Sequence, residues 1–183
     1  MKRDITKKIK EFLDMEIGLQ RVSDAPGFKF SISVAQNIKI LSAELEVIKT
    51  KGSKCEEWTK EEMEINKIQV KYAKKDIGGN PVIITEPYGE YFLHKYDILE
   101  DKAKEFREEY EALTSLKRHK DAMKKQKEIE EQYNKFITEE EITISLHEIP
   151  DSCVPLAYFD CEEHVPALKA FVSSCIDIIG SSE

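Results

Sequence analysis

Four side chains that can bind zinc lie within a short stretch near the C-terminal end of the sequence. Structural zinc sites usually contain two close pairs of ligands. Here only Cys161 and His164 form a close pair, with a Cys-x-x-His spacing. His147 and Cys153 are further apart, and Pro150 lies between them. Because free cysteines are often simply buried, we expect no metal and no other cofactor. The candidate ligands are His147, Cys153, Cys161 and His164.

The sequence contains none of the common catalytic motifs. It has no Gly-x-Ser-x-Gly elbow, no Gly-x-x-x-x-Gly-Lys loop, no Gly-x-Gly-x-x-Gly turn and no His-Glu-x-x-His pair. Cys161 and His164 could supply a nucleophile and a base, but two residues carry little specificity. We therefore predict that the protein is not an enzyme and assign no catalytic residue.

A basic block covers residues 117–127. Asp121 is the only acidic residue within the block. Acidic runs lie on both sides of it in the sequence, at 105–111 and 128–131. Such a block can neutralise phosphate, but it contains no aromatic side chain on which bases could stack. We interpret it as a solvated or acid-paired helix face and as the candidate interaction surface. Its members are Lys117, Arg118, Lys120, Lys124, Lys125 and Lys127.

Long helices must carry these residues, and the clearest helical pattern lies within residues 33–75. Apolar residues recur there at alternating steps of four and three, which is typical of a helix packed against another helix. Gly52 interrupts the pattern, and capping-box spacings after it predict a further helix from about residue 54. The first seam consists of Val34, Ile38, Leu41, Leu45 and Ile48.

A second helical region is predicted over residues 98–137, with the same four-three spacing at its start. Thr114 and Ser115 are the predicted position of a kink, because their hydroxyl groups compete for backbone hydrogen bonds. The second seam consists of Leu99, Ala103, Phe106, Tyr110 and Leu113.

Shorter elements complete the prediction. Residues 5–20 have helical periodicity, and a C-terminal helix is predicted over 166–179. Two β-prone runs within 82–96 predict a hairpin, and the alternating segment 142–148 predicts a strand that joins it in one small antiparallel sheet. The fold class is therefore α+β, with mostly long antiparallel helices.

Length, composition and charge indicate the number of domains, the location of the protein and the partners that it can bind. A chain of 183 residues suits a single domain over residues 1–183. No apolar run approaches the roughly 20 residues of a membrane-spanning helix, and the N-terminus lacks a signal-peptide pattern. We therefore expect a cytoplasmic protein with reduced cysteines and no membrane contact. The net charge of −8 disfavours binding to nucleic acid.

Most of the chain resembles small phage-encoded helical proteins of unknown function. The resemblance rests on the segment FKFSISVAQN at 28–37, on KYAKKD at 71–76 with the following Gly-Asn-Pro at 79–81, and on later segments. The later segments are the acidic helix at 104–110, the strand at 141–150 and the closing helix at 168–176. The resemblance implies a phage or prophage origin and, in that case, a location in the host cytoplasm. The basic block lies outside the shared pattern.

These observations lead to one functional expectation and two alternatives. We expect a non-enzymatic accessory protein that binds a host or virion protein through helical surfaces. Because its charges alternate in sign along a long helix, it could also form a homodimer. The alternatives are a nucleic-acid-associated protein that uses residues 117–127, and a zinc-stabilised protein or small zinc enzyme at 147–164.

Overall fold

The computed structural model describes residues 2–88, 91–160 and 162–180. Helices make up most of these residues and the strands form small sheets, so the predicted α+β class is confirmed. No helix in these three ranges is both long enough and apolar enough to cross a membrane.

The helices vary from a single turn to several turns in length. In chain order they are α1 (Ile9–Arg21), α2 (Phe28–Lys51), α3 (Glu56–Tyr72), α4 (Ala103–Ser115), α5 (Lys117–Glu139), α6 (Leu156–Phe159) and α7 (Val165–Cys175).

The strands pair two by two. They are β1 (Lys2–Lys8), β2 (Ile83–Tyr88), β3 (Tyr91–Tyr96), β4 (Glu141–His147), β5 (Ile149–Pro150) and β6 (Ile179–Gly180). Strand β1 pairs with β4 and β2 pairs with β3, both antiparallel, while β5 and β6 are parallel.

The contacts within the chain divide it into two compact units. Unit 1 consists of Met1–Ser53 and Glu131–Glu183, and unit 2 consists of Lys54–Glu130. Unit 1 is therefore built from two separate stretches of sequence. That the two units form a single domain stays a prediction.

The core of unit 1 lies between α1, α2, α7 and the β1–β4 pair. Val34, Leu41 and Leu45 of the first predicted seam are completely or almost completely buried there, and Ile38 and Ile48 pack against them. The seam prediction is therefore confirmed. Burial of this stripe is what holds α2 against the rest of the unit, because apolar area removed from water stabilises the fold.

Helices α1 and α7 approach each other closely at Gly18. A Cβ atom on Gly18 would lie 2.1 Å from the Ser174 hydroxyl and 3.1 Å from the Ala170 carbonyl oxygen. The Ser174 hydroxyl itself donates a 2.7 Å hydrogen bond to that carbonyl. Glycine is therefore the residue that allows this helix contact.

Two polar residues buried in unit 1, Asn37 and Glu16, both have partners. Asn37, fully buried on α2, donates a 2.8 Å hydrogen bond to the carbonyl of His147 and accepts a 2.7 Å bond from its N–H. The Asn37 amide thereby satisfies both backbone hydrogen-bonding groups of His147, the last residue of β4. The buried Glu16 carboxylate accepts a 2.7 Å hydrogen bond from Ser42 and forms an ion pair with Lys49.

The thiol of Cys175 is strongly perturbed by its surroundings. It is buried at the α1–α7 contact, where its thiol donates to the carbonyl of Met15 at 3.6 Å. Burial raises the pKa of the Cys175 thiol from 9.0 to about 11, since the thiolate would lose its hydration. The folded protein thus keeps a proton that the unfolded chain releases between these two values, so this group's contribution to stability falls as pH rises through that window.

Alkylation tests whether the Cys175 thiol is buried and protonated in the folded protein. With iodoacetamide at pH 8, we expect Cys55 and Cys153, which are half-buried, to react well before Cys175, since only an accessible thiolate is a nucleophile. Peptide mass spectrometry gives the rate for each residue. Cys175 should react at the rate of the others only after unfolding in urea. A native Cys175 that is alkylated as fast as Cys55 would contradict its burial.

The N-terminal prediction was wrong in part. Residues 2–8 form strand β1 instead of the first turns of a helix, with Ile5 opposite Ile144 and Thr6 opposite Thr143. The Thr6 and Thr143 hydroxyls form a 2.7 Å hydrogen bond across the pair. Helix α1 begins only at Ile9, where the Glu11 carboxylate accepts a bond from the Lys8 N–H. The pairing with a strand far along the chain overrides the local helical periodicity.

The single predicted sheet was also wrong. The hairpin within 82–96 is present as β2 and β3, although its connecting residues Gly89 and Glu90 lie outside the described residues. The predicted strand at 142–148 is present as β4, but it pairs with β1 and not with the hairpin. The hairpin belongs to unit 2 and β4 belongs to unit 1.

The long helical regions are interrupted. Residues 33–75 contain α2 and α3, separated after Lys51, and 98–137 contain α4 and α5, separated at Leu116. The second break follows the predicted kink, and there the Thr114 and Ser115 hydroxyls donate to carbonyls of the preceding turn. The C-terminal helix ends at Cys175, before its predicted end at 179, and residues 176–178 form a turn of 3-10 helix that leads into β6.

The second predicted seam is only partly buried. Leu113 is buried and Phe106 and Tyr110 are half-buried, but Leu99 and Ala103 are exposed. Leu99 is exposed because α4 begins only at Ala103, so Leu99 lies before the helix and does not share its buried face. The apolar core of unit 2 is small, which leaves part of its helical surface open.

Candidate functional site

The predicted zinc ligands do not form a site in the described part of the chain. His147 lies on β4, where burial and the nearby Lys2 ammonium group lower its pKa. The His164 ring stacks on Tyr158, with centroids 4.1 Å apart. Cys161 lies outside the described residues. Residues 2–88, 91–160 and 162–180 contain no cluster of three or more His, Cys, Asp or Glu side chains able to hold a metal ion. The expectation of no bound zinc stays a prediction.

The basic block divides into two faces of α5. On one face, Arg118 and Lys125 pair with α3. The Arg118 Nε lies 3.3 Å from Glu61 Oε1, and the Lys125 Nζ lies 2.6 Å from Glu57 Oε1. The hydrogen bond from Lys125 lowers the pKa of Glu57 and raises that of Lys125. These two cations therefore have acidic partners within unit 2.

The other face is turned to solvent. Lys117, Lys120 and Lys124 are exposed, and their spacing of three and four residues puts them on one side of the helix. Lys124 lies 3.9 Å from Glu128 on its own helix. No ion pair is found for Lys117 or Lys120 among the described residues, so this face has uncompensated positive charge. Lys127, on the next turn, is also exposed.

A buried polar pair lies between the two helices. Glu61 and His119 are 6% and 4% exposed, and the His119 Nδ1 lies 3.3 Å from Glu61 Oε2. The His119 ring also packs against Trp58, with ring centroids 5.5 Å apart. Sequence reasoning missed this pair, because it considered the basic block as surface. The signal was available in the spacing of the charges: Glu57 and Glu61 lie one helical turn apart, and Arg118 and Lys125 lie two turns apart, so each charge pair is on one side of its helix.

The start of α3 is also tied to α5. The buried Gln126 side chain accepts a 2.8 Å hydrogen bond from the backbone N–H of Cys55, the residue before α3. Its amide nitrogen donates to Glu130 at 2.9 Å. Since a helix N-terminus has free N–H groups, Gln126 satisfies one of them from a neighbouring helix and so helps to fix Trp58, three residues further on.

An open groove lies beside this pair, between α3, α4 and α5, and we call it the α3 groove. Its volume is about 590 Å³. The α3 residues that line it recur at positions 58, 62, 65 and 69, so it follows that helix for about 16 Å at 1.5 Å per residue. The lining residues are Trp58, Glu62, Ile65, Gln69, Tyr110, Thr114, His119, Lys120 and Met123.

The α3 groove has an apolar floor and a charged rim. Trp58 and Ile65 are half-buried, and Met123 is 50% exposed. On the rim, Glu62 accepts from Lys54 at 2.7 Å and is thereby neutralised, whereas Lys120 belongs to the uncompensated face. The rim is therefore positive overall.

A second depression lies on the opposite side of the α3–α5 contact. It is lined mainly by charged residues, and two ion pairs lie among them, Glu57 with Lys125 and Glu61 with Arg118. Its volume is about 320 Å³. Because these four charges already have partners and the lining contains no large apolar side chain, it offers an incoming ligand less apolar surface than the floor of the α3 groove.

The α3 groove is lined by His119 as well as by apolar side chains. His119 has a carboxylate partner, as a catalytic base often does. However, no hydrogen bond joins His119 to a Ser, Thr or Cys side chain in the described ranges, and the Thr114 hydroxyl donates to the Tyr110 carbonyl at 3.0 Å. The groove is lined by two aromatic side chains, Trp58 and Tyr110, by the apolar side chains of Ile65 and Met123, and by Lys120 at its positive edge.

No family model, no curated protein and no solved structure matches the chain at a significant level.

Proposed function

We propose that the protein is a non-enzymatic accessory protein that binds another protein, and that the α3 groove is its binding surface. The observation that carries this proposal is the grouping of Trp58, Ile65 and Met123 in one open groove. A tryptophan that is half-buried in the free protein still has apolar surface to lose to a partner.

The physical argument concerns where binding energy concentrates. Tryptophan, tyrosine and methionine are enriched at protein interfaces, and a few aromatic residues usually supply most of the affinity. Trp58 is already positioned by the His119 ring and by the ordered start of α3. Since little side-chain freedom remains to be lost, burial of Trp58 by a partner costs less entropy than burial of a mobile side chain.

The origin and the kind of partner rest on the resemblance to small phage-encoded proteins. On that basis the protein is of phage or prophage origin, acts in the host cytoplasm and binds a host or virion protein. The resemblance assigns no binding residues, so the α3 groove is proposed from its geometry alone.

A pair of methionine variants tests the proposal. Met123→Glu places a charge on the floor of the α3 groove, whereas Met63→Glu places it elsewhere on α3. The two methionines are 50% and 58% exposed, so neither change disturbs a buried core. In affinity purification from host cells, we expect Met123→Glu to lose a partner that the wild type and Met63→Glu both retain, with recovery lower by about tenfold or more, because a charge would be buried at the centre of the contact.

Far-ultraviolet circular dichroism must show that both variants are folded. Equal recovery of every bound protein by the two variants would contradict a role for the α3 groove. Loss with Met63→Glu alone would locate the binding surface elsewhere on α3.

A further inference from the structure

We propose, on the basis of the protein-binding role above, that the α3 groove takes an acidic amphipathic helix of a partner protein. Three observations lead to this partner chemistry: the shape of the groove, the charge beside it, and the way in which the chain's own acidic helix is used.

The shape suits a helix. The groove follows α3 over the positions of Trp58, Ile65 and Gln69, and its other walls come from α4 and α5. A groove of about 16 Å between helices accommodates about three turns of another helix. Such a helix would present an apolar stripe at intervals of three and four residues to the floor, as in other helix-in-groove complexes.

The charge beside the groove selects an acidic helix. Lys120 lines the groove, and Lys117 and Lys124 lie on the same side of α5, one turn before and one turn after it. The opposite rim is not a competing negative edge, because both Glu62 oxygens lie 2.7 Å from the Lys54 ammonium group. A partner helix with acidic residues flanking its apolar stripe would therefore meet complementary charge along α5.

Helix α4 is an acidic helix of this chain, but α4 of a second copy does not have the free apolar stripe and free carboxylates that the groove requires. In α4 the apolar side is already used within its own unit, since Phe106 packs on Tyr72 with ring centroids 5.9 Å apart and Leu113 is buried. Of its carboxylates, Glu109 accepts from Lys71 and Tyr72, and Glu105 accepts from Lys102. This helix has neither a free apolar stripe nor a full set of free carboxylates.

Trp58 provides a direct readout, because it is the single tryptophan of the chain. The full-length protein is titrated with three peptides of about 14 residues, about four helical turns, and the emission of Trp58 is recorded. The first peptide has a leucine stripe flanked by glutamates, the second has the same stripe flanked by lysines, and the third has the composition of the first in an order without a stripe. We expect the first to bind saturably and at least about tenfold more tightly than the other two.

Variants locate the charge contribution. Lys120→Glu with Lys124→Glu should weaken the first peptide by about tenfold or more and strengthen the second. Lys10→Glu with Lys29→Glu is the matched control, since both of these lysines are exposed in unit 1 and the change in net charge is the same. The first peptide should bind this control as it binds the wild type, and its affinity should fall with added salt.

Several results would overturn the proposal. One is equal binding of the glutamate and lysine peptides; another is binding that is unchanged in the Lys120 and Lys124 variant. Submicromolar binding of duplex DNA that disappears in that variant would instead assign these lysines to phosphate. A dimer in sedimentation that Met123→Glu dissociates would assign the groove to self-association.

The failure of this inference can be distinguished from the failure of the proposed function. If no peptide binds while Met123→Glu still abolishes partner capture, the acidic helix is wrong and the proposed function stands. If capture is also unaffected, both are wrong.

Discussion

Leu41→Ala should lower the free energy of unfolding by about 2 to 5 kcal/mol. Leu41 is completely buried at the centre of unit 1, where α2 packs into the core. Truncation removes apolar contacts and leaves a cavity that the surrounding helices fill only in part. Urea denaturation followed by far-ultraviolet circular dichroism measures the change.

Two comparisons sharpen this expectation. Val47→Ala, on the same helix but 67% exposed, should change the free energy of unfolding by less than about 0.5 kcal/mol. Phe106→Ala, in the partly buried second seam, should cost less than Leu41→Ala, because the Phe106 side chain is only half-buried. A cost for Leu41→Ala as small as that for Val47→Ala would show that the first seam is not the core.

Asn37→Ala should cost about 2 to 4 kcal/mol, because it leaves both the N–H and the carbonyl of His147 without their side-chain partner. Asn37→Asp should cost more at neutral pH. The aspartate cannot donate to the His147 carbonyl, and its charge would be buried. As pH falls and that carboxyl group takes up a proton, it regains a donor, so the difference between Asn37→Asp and the wild type should narrow.

Chemical denaturation at pH 7 and at pH 4.5 measures this difference. Asn134→Asp is the control, since Asn134 is exposed on α5 and its substitution should have little effect at either pH. If Asn37→Asp were as stable as the wild type at neutral pH, the amide would not be what joins α2 to β4.

The parts of the fold that were predicted correctly depend on local pattern. The four-three spacing of Val34, Leu41 and Leu45 predicted the buried side of α2, and the Thr114–Ser115 pair predicted the break before α5. Both signals come from residues within one or two helical turns of one another. Helical periodicity and hydroxyl competition need no knowledge of the tertiary fold.

The parts that were missed depend on distant partners. Residues 2–8 form a strand only because β4, more than 130 residues later, supplies the other half of the pair at positions such as Thr6 and Thr143. The sequence pattern alone indicates a helix here, because Ile5 lies four residues before Ile9 and seven before Phe12. The strand at 142–148 was identified correctly but assigned to the wrong partner, because alternation indicates a half-buried strand and not the strand beside it.

The candidate site shows the same limit. Charge counting identified the basic block, but it could not divide the block into Arg118 and Lys125, which pair with α3, and the outward-facing Lys117, Lys120 and Lys124. That division depends on which side of α5 faces α3. The α3 groove was not predicted, because its walls come from three helices, and the sequence pattern does not show how α4 and α5 pack beside α3.

The central claim is that the α3 groove contacts a partner protein, and site-specific photo-crosslinking tests it most directly. A benzophenone amino acid is placed at position 123 in one protein and at position 63 in another, and both are irradiated in host cells. Because both positions are exposed on unit 2, they sample the same surroundings apart from the groove. We expect one discrete crosslinked species from position 123 that is absent from position 63. The same species from both positions, or none from position 123, would contradict the claim.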